Sequence, residues 1–140
     1  MTVENIYGTI TARIIESMMF HDQASQMYCF IGLYSYEKRH RELYYAEAEA
    51  YKDVCDYYIV NYGKILKQKR VHDPDIIKSD LYYEHKNRLS SAKKKEIEKH
   101  ISDSFSTWMG ETKMLYERMY KELIMMGEIA SANEISQLLL

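Results

Sequence analysis

With 140 residues, 46% hydrophobic and 29% charged, and a formal net charge of -2, the chain is sized and composed for one globular domain, residues 1–140. Fourteen Tyr and nine Met against five Gly and one Pro favour helices over strands and turns. The longest apolar runs, such as Ile14–Ile15 and Leu138–Leu140, exclude a membrane span of ~20 residues. Met1–Asn5 carries no basic stretch ahead of an apolar one, so a cytoplasmic protein is expected.

A first helix is predicted from Thr2 or Val3, with Thr2 as its cap, to about Tyr34. Ile6, Ile10 and Ile14 set its rhythm; Ile15, Met19, Cys29 and Leu33 continue it, with Phe20, Ala24, Met27 and Ile31 alongside. The polar stretch Ser35–Arg41 reads as a short turn centred near Lys38. A second helix, from about Glu37 to Lys67, places Leu43, Ala50, Val54 and Tyr57 on one stripe and Tyr44, Ala48, Tyr51, Cys55, Tyr58 and Tyr62 on the next. So short a turn makes the pair antiparallel. Cys29 and Cys55 read as small buried hydrophobes, out of register with each other.

His72-Asp73-Pro74-Asp75 is the clearest boundary: Asp73 suits a cap, Pro74 a first helical position, and a third helix is expected from Pro74 to about Arg88. After a cap at Ser90-Ser91, a long helix carries Ile97, Ile101, Phe105, Trp108, Thr112, Leu115, Met119 and Leu123 on one stripe and ends before Gly127. Trp108, the only Trp, is expected in the core, with Glu111, Thr112 or a tyrosine hydroxyl accepting from its indole. A short last helix spans Glu128–Leu139, its Asn133 and Gln137 facing away.

Between Lys64 and His100, eleven Lys and Arg stand against six acids, with Tyr82 and Tyr83 interleaved. Such a stretch suits phosphates and stacked bases, or a solvated helix face; no nucleic-acid motif accompanies it. His72, His85 and His100 fall in this charged region without a paired nucleophile and read as surface. There is no glycine-rich phosphate loop, nucleophile elbow or zinc-type cysteine spacing. The one metal-like unit is Glu37-x-x-His40, which sets a carboxylate and an imidazole on one helical face; no second copy exists, and a di-iron bundle needs two. His21, Asp22, Glu47 and Glu111 are further polar residues on or beside apolar stripes. A turn near Lys38 would set His21 opposite Cys55 and Glu47 opposite Phe30, about 13 Å apart along the axis, too far for one metal.

Phe20-His21-Asp22-Gln23-Ala24, Tyr28, and Tyr36–His40 leading into an acidic helix with Glu47 and Glu49 resemble the first hairpin of the ferritin-like superfamily, in its rubrerythrin and Dps-like branches. Trp108-Met109-Gly110-Glu111, Tyr116, Tyr120, Leu123 and Met126-Gly127-Glu128 are similar to its later helices. The resemblance implies a four-helix bundle with a long crossover, a carboxylate-bridged di-iron site, and assembly into dimers or shells. Only Glu37 and His40 match its ligand pattern, so the ligand set is incomplete. The expectation is an all-α, antiparallel four-helix bundle of ferritin-like type with a short extra C-terminal helix. Pro74–Arg88 would serve as its crossover. It would lack a complete metal site and any cofactor and act as a homo-oligomer, dimer or higher, or through a protein partner. Two alternatives stand beside it. One is an iron-oxidising or iron-storing protein with di-iron or manganese at Glu37, His40, Glu47 and Glu111. The other is a nucleic-acid-binding module using Lys64, Lys67, Lys69, Arg70, Lys93, Lys94 and Lys95.

Overall fold

The structure is a computed structural model that describes residues 1–77 and 88–140. Helices α1 (Val3–Phe30), α2 (Tyr34–Tyr62), α3 (Ser91–Met125) and α4 (Ile129–Ser136) account for its regular structure, with a 3₁₀ turn at Gln137–Leu139. Among the described residues there is no strand, and no helix is long and apolar enough to cross a membrane.

α1 is the central element. The Thr2 hydroxyl accepts from the Asn5 amide at 3.1 Å, capping the helix as its sequence suggests. Ile6, Tyr7, Ile10, Ile14, Phe20 and Ala24 are essentially removed from solvent. Thr11 sits among them because its hydroxyl donates to the Tyr7 carbonyl at 2.9 Å and so is not left unpaired.

The turn into α2 lies at Ile31–Leu33, not near Lys38. Gly32, at φ 80°, donates to the Cys29 carbonyl while Leu33 donates to that of Tyr28, closing the helix end through the left-handed conformation that glycine adopts without strain. Ser35–Arg41 is helical: its polar residues are the outer face of the first turns of α2, while His40 turns inward. Pairings along the hairpin follow from this. Tyr7 meets Tyr57, Tyr58 and Tyr62 near one end, and His21 meets His40 further along. With Met27 and Tyr28 facing the core, Cys29 is exposed and Cys55 only half-buried, so neither is the buried hydrophobe expected.

α2 stops at Gly63 rather than Lys67. The chain then follows α1 as an extended strap. Lys69 Nζ donates to the Thr9 hydroxyl at 3.1 Å, the His72 amide to Glu16 at 2.7 Å and the Ile76 amide to Gln23 at 3.0 Å. Seven residues at ~3.3 Å advance about 23 Å, the same length as the fifteen helical residues from Gly8 to Gln23 at ~1.5 Å. Residues 74–77 are not helical. Asp73 accepts from the Asp75 amide at 2.8 Å in a local turn, and Asp75 has φ 48°, so the acid that suits a helix cap folds back on its own backbone instead. The rest of the expected third helix, with Lys78, Tyr82, Tyr83, His85 and Lys86, lies outside the described residues.

α3 begins where expected, with the Ser90 hydroxyl accepting from the Lys93 amide at 3.1 Å, and runs to the glycine turn at Gly127. Tyr116 takes the buried place assigned to Leu115. α4 closes one end, Ala132 and Ile135 buried and Ser131 against the Tyr62 hydroxyl. The apolar core comes in two clusters. One gathers Ile6, Tyr7, Ile10, Ile14, Val54, Tyr58, Met119 and Leu123 with α4; the other gathers Phe20, Ala24, Met27, Ile97 and Ile101 with Ile76 and Leu89.

Candidate functional site

Between the two clusters lies a polar middle layer. On α1, Arg13, Ser17 and His21 recur four residues apart and share one face, with Glu16 beside them. The Arg13 Nε donates to Thr112 at 2.8 Å, and its guanidinium lies 3.5 Å from the Trp108 ring centroid. Glu16 and Glu111 stand at 3.8 and 3.9 Å from it. Burial pulls the Arg13 pKa down, and Glu16 opposes that pull. The Trp108 indole donates to Ser17 at 3.0 Å, an acceptor not expected from the sequence, and Phe20 stacks on the indole with ring centroids 5.4 Å apart. Trp108 is therefore half-buried, packed on the second cluster rather than enclosed by it.

Deeper in the hairpin, Nδ1 of His21 and Nδ1 of His40 lie 3.0 Å apart, one donating to the other, with both side chains no more than 5% exposed. A bond of this kind needs one protonated and one bare Nδ1, which the neutral pair can provide and the doubly protonated pair cannot. Phe105 and Tyr28 pack on the two rings. Burial lowers the His21 pKa to about 4, helped by the His40 imidazole, and lowers that of His40 to about 4, helped by Arg39.

On the inward face of α2, Glu47 falls midway between His40 and Val54 at seven-residue spacing. Its carboxylate makes no hydrogen bond or ion pair among the described residues, and burial pushes its pKa up to about 7. It faces a cleft of about 330 Å³ that α1, α2 and α3 enclose and the C-terminal Leu138–Leu140 partly covers. Tyr116, across the cleft, is 5% exposed, and its hydroxyl has no hydrogen-bond partner. Burial and the nearby Glu47 carboxylate both raise its pKa. The arrangement can hold a small polar-headed molecule; it has no paired nucleophile and base.

The sequence-derived metal candidates do not gather. His40 is committed to His21, and Glu37 lies one turn toward the hairpin end. The Glu111 side chain is 65% exposed on the outside of α3, and Glu47 stands alone at the cleft. Among the described residues no three His, Cys, Asp or Glu form a group able to hold an ion. The donor set thus does not fit the di-iron or manganese centre that the ferritin-like resemblance implies, and the middle layer carries the Arg13 guanidinium. Asp22 is spent on Arg41 at 2.8 Å and Gln26 at 3.0 Å. The register mismatch expected between His21 and Glu47 is also overturned: both line the same cleft.

Nor do the basic residues form one patch. Lys64, Lys67, Lys69 and Arg70 lie along the strap, Lys69 beside Gly8 and Thr9, whereas Lys93, Lys94 and Lys95 open α3 beyond the level of Tyr28. About twenty helical residues, roughly 30 Å, separate the groups. His72 is exposed, and His100 bonds the Ile76 carbonyl at 2.7 Å. Arg13, Ser17 and Tyr116 were absent from the sequence-based set. The four-residue recurrence of Arg13, Ser17 and His21 through an apolar helix is the signal that marks the first two. The chain matches no family model, no curated protein and no solved structure.

Proposed function

We propose that the chain is a ferritin-like, antiparallel four-helix bundle, its fourth helix shortened to α4, and that it acts by assembling with a second copy of itself in the cytoplasm, without a di-metal centre. The topology is supported by a tight hairpin, a strap that serves as crossover, a long returning helix and a short closing one. One observation carries the assembly. At the end where the Tyr62 hydroxyl reaches Glu128 and Ser131, Val60, Ile65 and Met125 are 81, 87 and 80% exposed beside half-exposed Ile59, Met126 and Ile129. Large apolar side chains left exposed at one end of a bundle favour association, which a second copy can meet across a two-fold axis. The net charge of -2 opposes such pairing only weakly.

The tyrosine-rich sequence of α2, in which Tyr44, Tyr45, Tyr51, Tyr57 and Tyr58 lead one to expect an association face, does not carry this reading: Tyr58 is buried, Tyr57 stacks on Tyr7, and only Tyr45 of these is largely exposed. Light scattering at micromolar concentration is expected to give a dimer or higher, and the double substitution Val60→Lys with Met125→Lys a monomer of unchanged helical circular dichroism. A monomeric native chain overturns the proposal. Roughly two irons or one manganese per chain after aerobic purification would instead return the metal-dependent reading.

A further inference from the structure

We infer that the cleft at Glu47 is a binding site for a small primary amine carried on an apolar, preferably aromatic, body. The inference stands on the cleft alone and holds whether or not the chain self-associates.

The first step is which polar groups around the cleft remain unspent. Ser17 already accepts from Trp108, Thr112 accepts from Arg13, and Nδ1 of His21 is taken by His40. That leaves the Glu47 carboxylate and the Tyr116 hydroxyl, on facing helices of the same cleft and without a hydrogen-bond partner among the described residues, while the Lys113 ammonium that also lines the cleft is exposed to solvent. A buried hydroxyl left unbonded is destabilising, and such groups in native proteins are paired or await a partner. The second step is charge. Glu47 is acceptor-only when ionised, and an ammonium brings three donors and the opposite charge; one such group can satisfy the carboxylate and the tyrosine oxygen together.

The walls specify the rest of the ligand. Phe105, Trp108 and Leu43 supply apolar and aromatic surface to the lining. At about 330 Å³ the space lies at the small end of ligand sites, room for one ring and a short arm. A carboxylate in place of the amine would face Glu47 with like charge. Leu138 and Leu139, at the end of the 3₁₀ turn, add apolar side chains to the lining. The ligand's head meets Glu47 and Tyr116, and its body lies against the apolar lining.

Trp108 is the only tryptophan and lines the cleft, so its fluorescence reports occupancy. Titration of the full chain with 2-phenylethylamine is expected to saturate with Kd of about 1 mM, fitting for a fragment-sized ligand. Glu47→Gln, of equal size, should weaken it by about tenfold, Tyr116→Phe by a few-fold, and 3-phenylpropionate should not saturate. Circular dichroism of both variants should match the native chain. No saturable signal with the amine, equal affinity in Glu47→Gln, or equal affinity for the acid would each overturn the assignment.

Discussion

Acid should loosen this protein through the His21–His40 pair. Both imidazoles are held near a pKa of about 4 by burial, while in the unfolded chain each returns to its ordinary value of about 6.5. The unfolded state therefore binds more protons between these values. The stability tied to the neutral pair is fully present above pH 6.5 and is lost as pH falls toward 4. At pH 5 each imidazole has lost about 1.5 pH units' worth, roughly 2 kcal/mol, so the pair costs about 4 kcal/mol, a large share of a typical domain's 5–15. Glu47 works the other way. Its folded pKa, raised to about 7, makes the folded state the better proton acceptor, so acidification from pH 7.5 offsets part of the loss. The assay must therefore compare two chains. Denaturant unfolding followed by helical circular dichroism at pH 7.5 and 5.0 gives the acid loss for the native chain and for His40→Asn, whose amide nitrogen can still donate to His21. The variant retains Glu47 but has one titrating imidazole, and its acid loss should be smaller by about 2 kcal/mol. Equal losses in the two chains would refute the reasoning.

Two other substitutions separate local backbone chemistry from packing. Gly32→Ala, at φ 80°, should cost about 1–2 kcal/mol in a thermal melt, whereas Gly110→Ala, in helix α3 with nothing within 4 Å of the added methyl, should raise stability by about 0.5–1. Trp108→Ala removes the stack on Phe20, the cation–π contact with Arg13 and the bond to Ser17, and should cost about 3 kcal/mol with a clear drop in Tm. An unchanged Tm would place Trp108 outside the packing that holds α3.

The helices were legible where a cap and a period agree. Thr2 and Ser90 announce α1 and α3, Gly127 ends α3, and Ala132 and Ile135 define the inner side of α4. The hairpin turn was not, because Gly32 sits within the apolar run Ile31-Gly32-Leu33 while the polar Ser35–Arg41 next to it has the composition of a loop. Displacing a turn by six residues displaces every facing pair by twelve, about 18 Å of helix. That one misreading set His21 against Cys55 and hid its bond to His40. The strap shows tertiary contacts overriding local preference: Asp73-Pro74 has the form of a helix start, but the Gln23 amide donates to Asp73 at 2.5 Å and its carbonyl accepts from Ile76, fixing this stretch as extended chain along α1.

The middle layer explains how that register is kept. Apolar clusters above and below it tolerate sliding, since one aliphatic contact resembles the next. Burying a guanidinium adds little stability, because desolvation offsets much of its attraction to Glu16. What the layer adds is position. The Arg13 bond to Thr112 and the Trp108 bond to Ser17 both cross from α1 to α3. A one-turn slip of α3, about 5.4 Å, would break both at once, at about 1–3 kcal/mol for each group left buried and unbonded. With α3 held at this depth, Tyr116, one turn beyond Thr112, comes level with Glu47 on α2. The polar residues that sequence periodicity treats as interruptions of the core therefore fix the relative depth of the helices, and the cleft exists because they do.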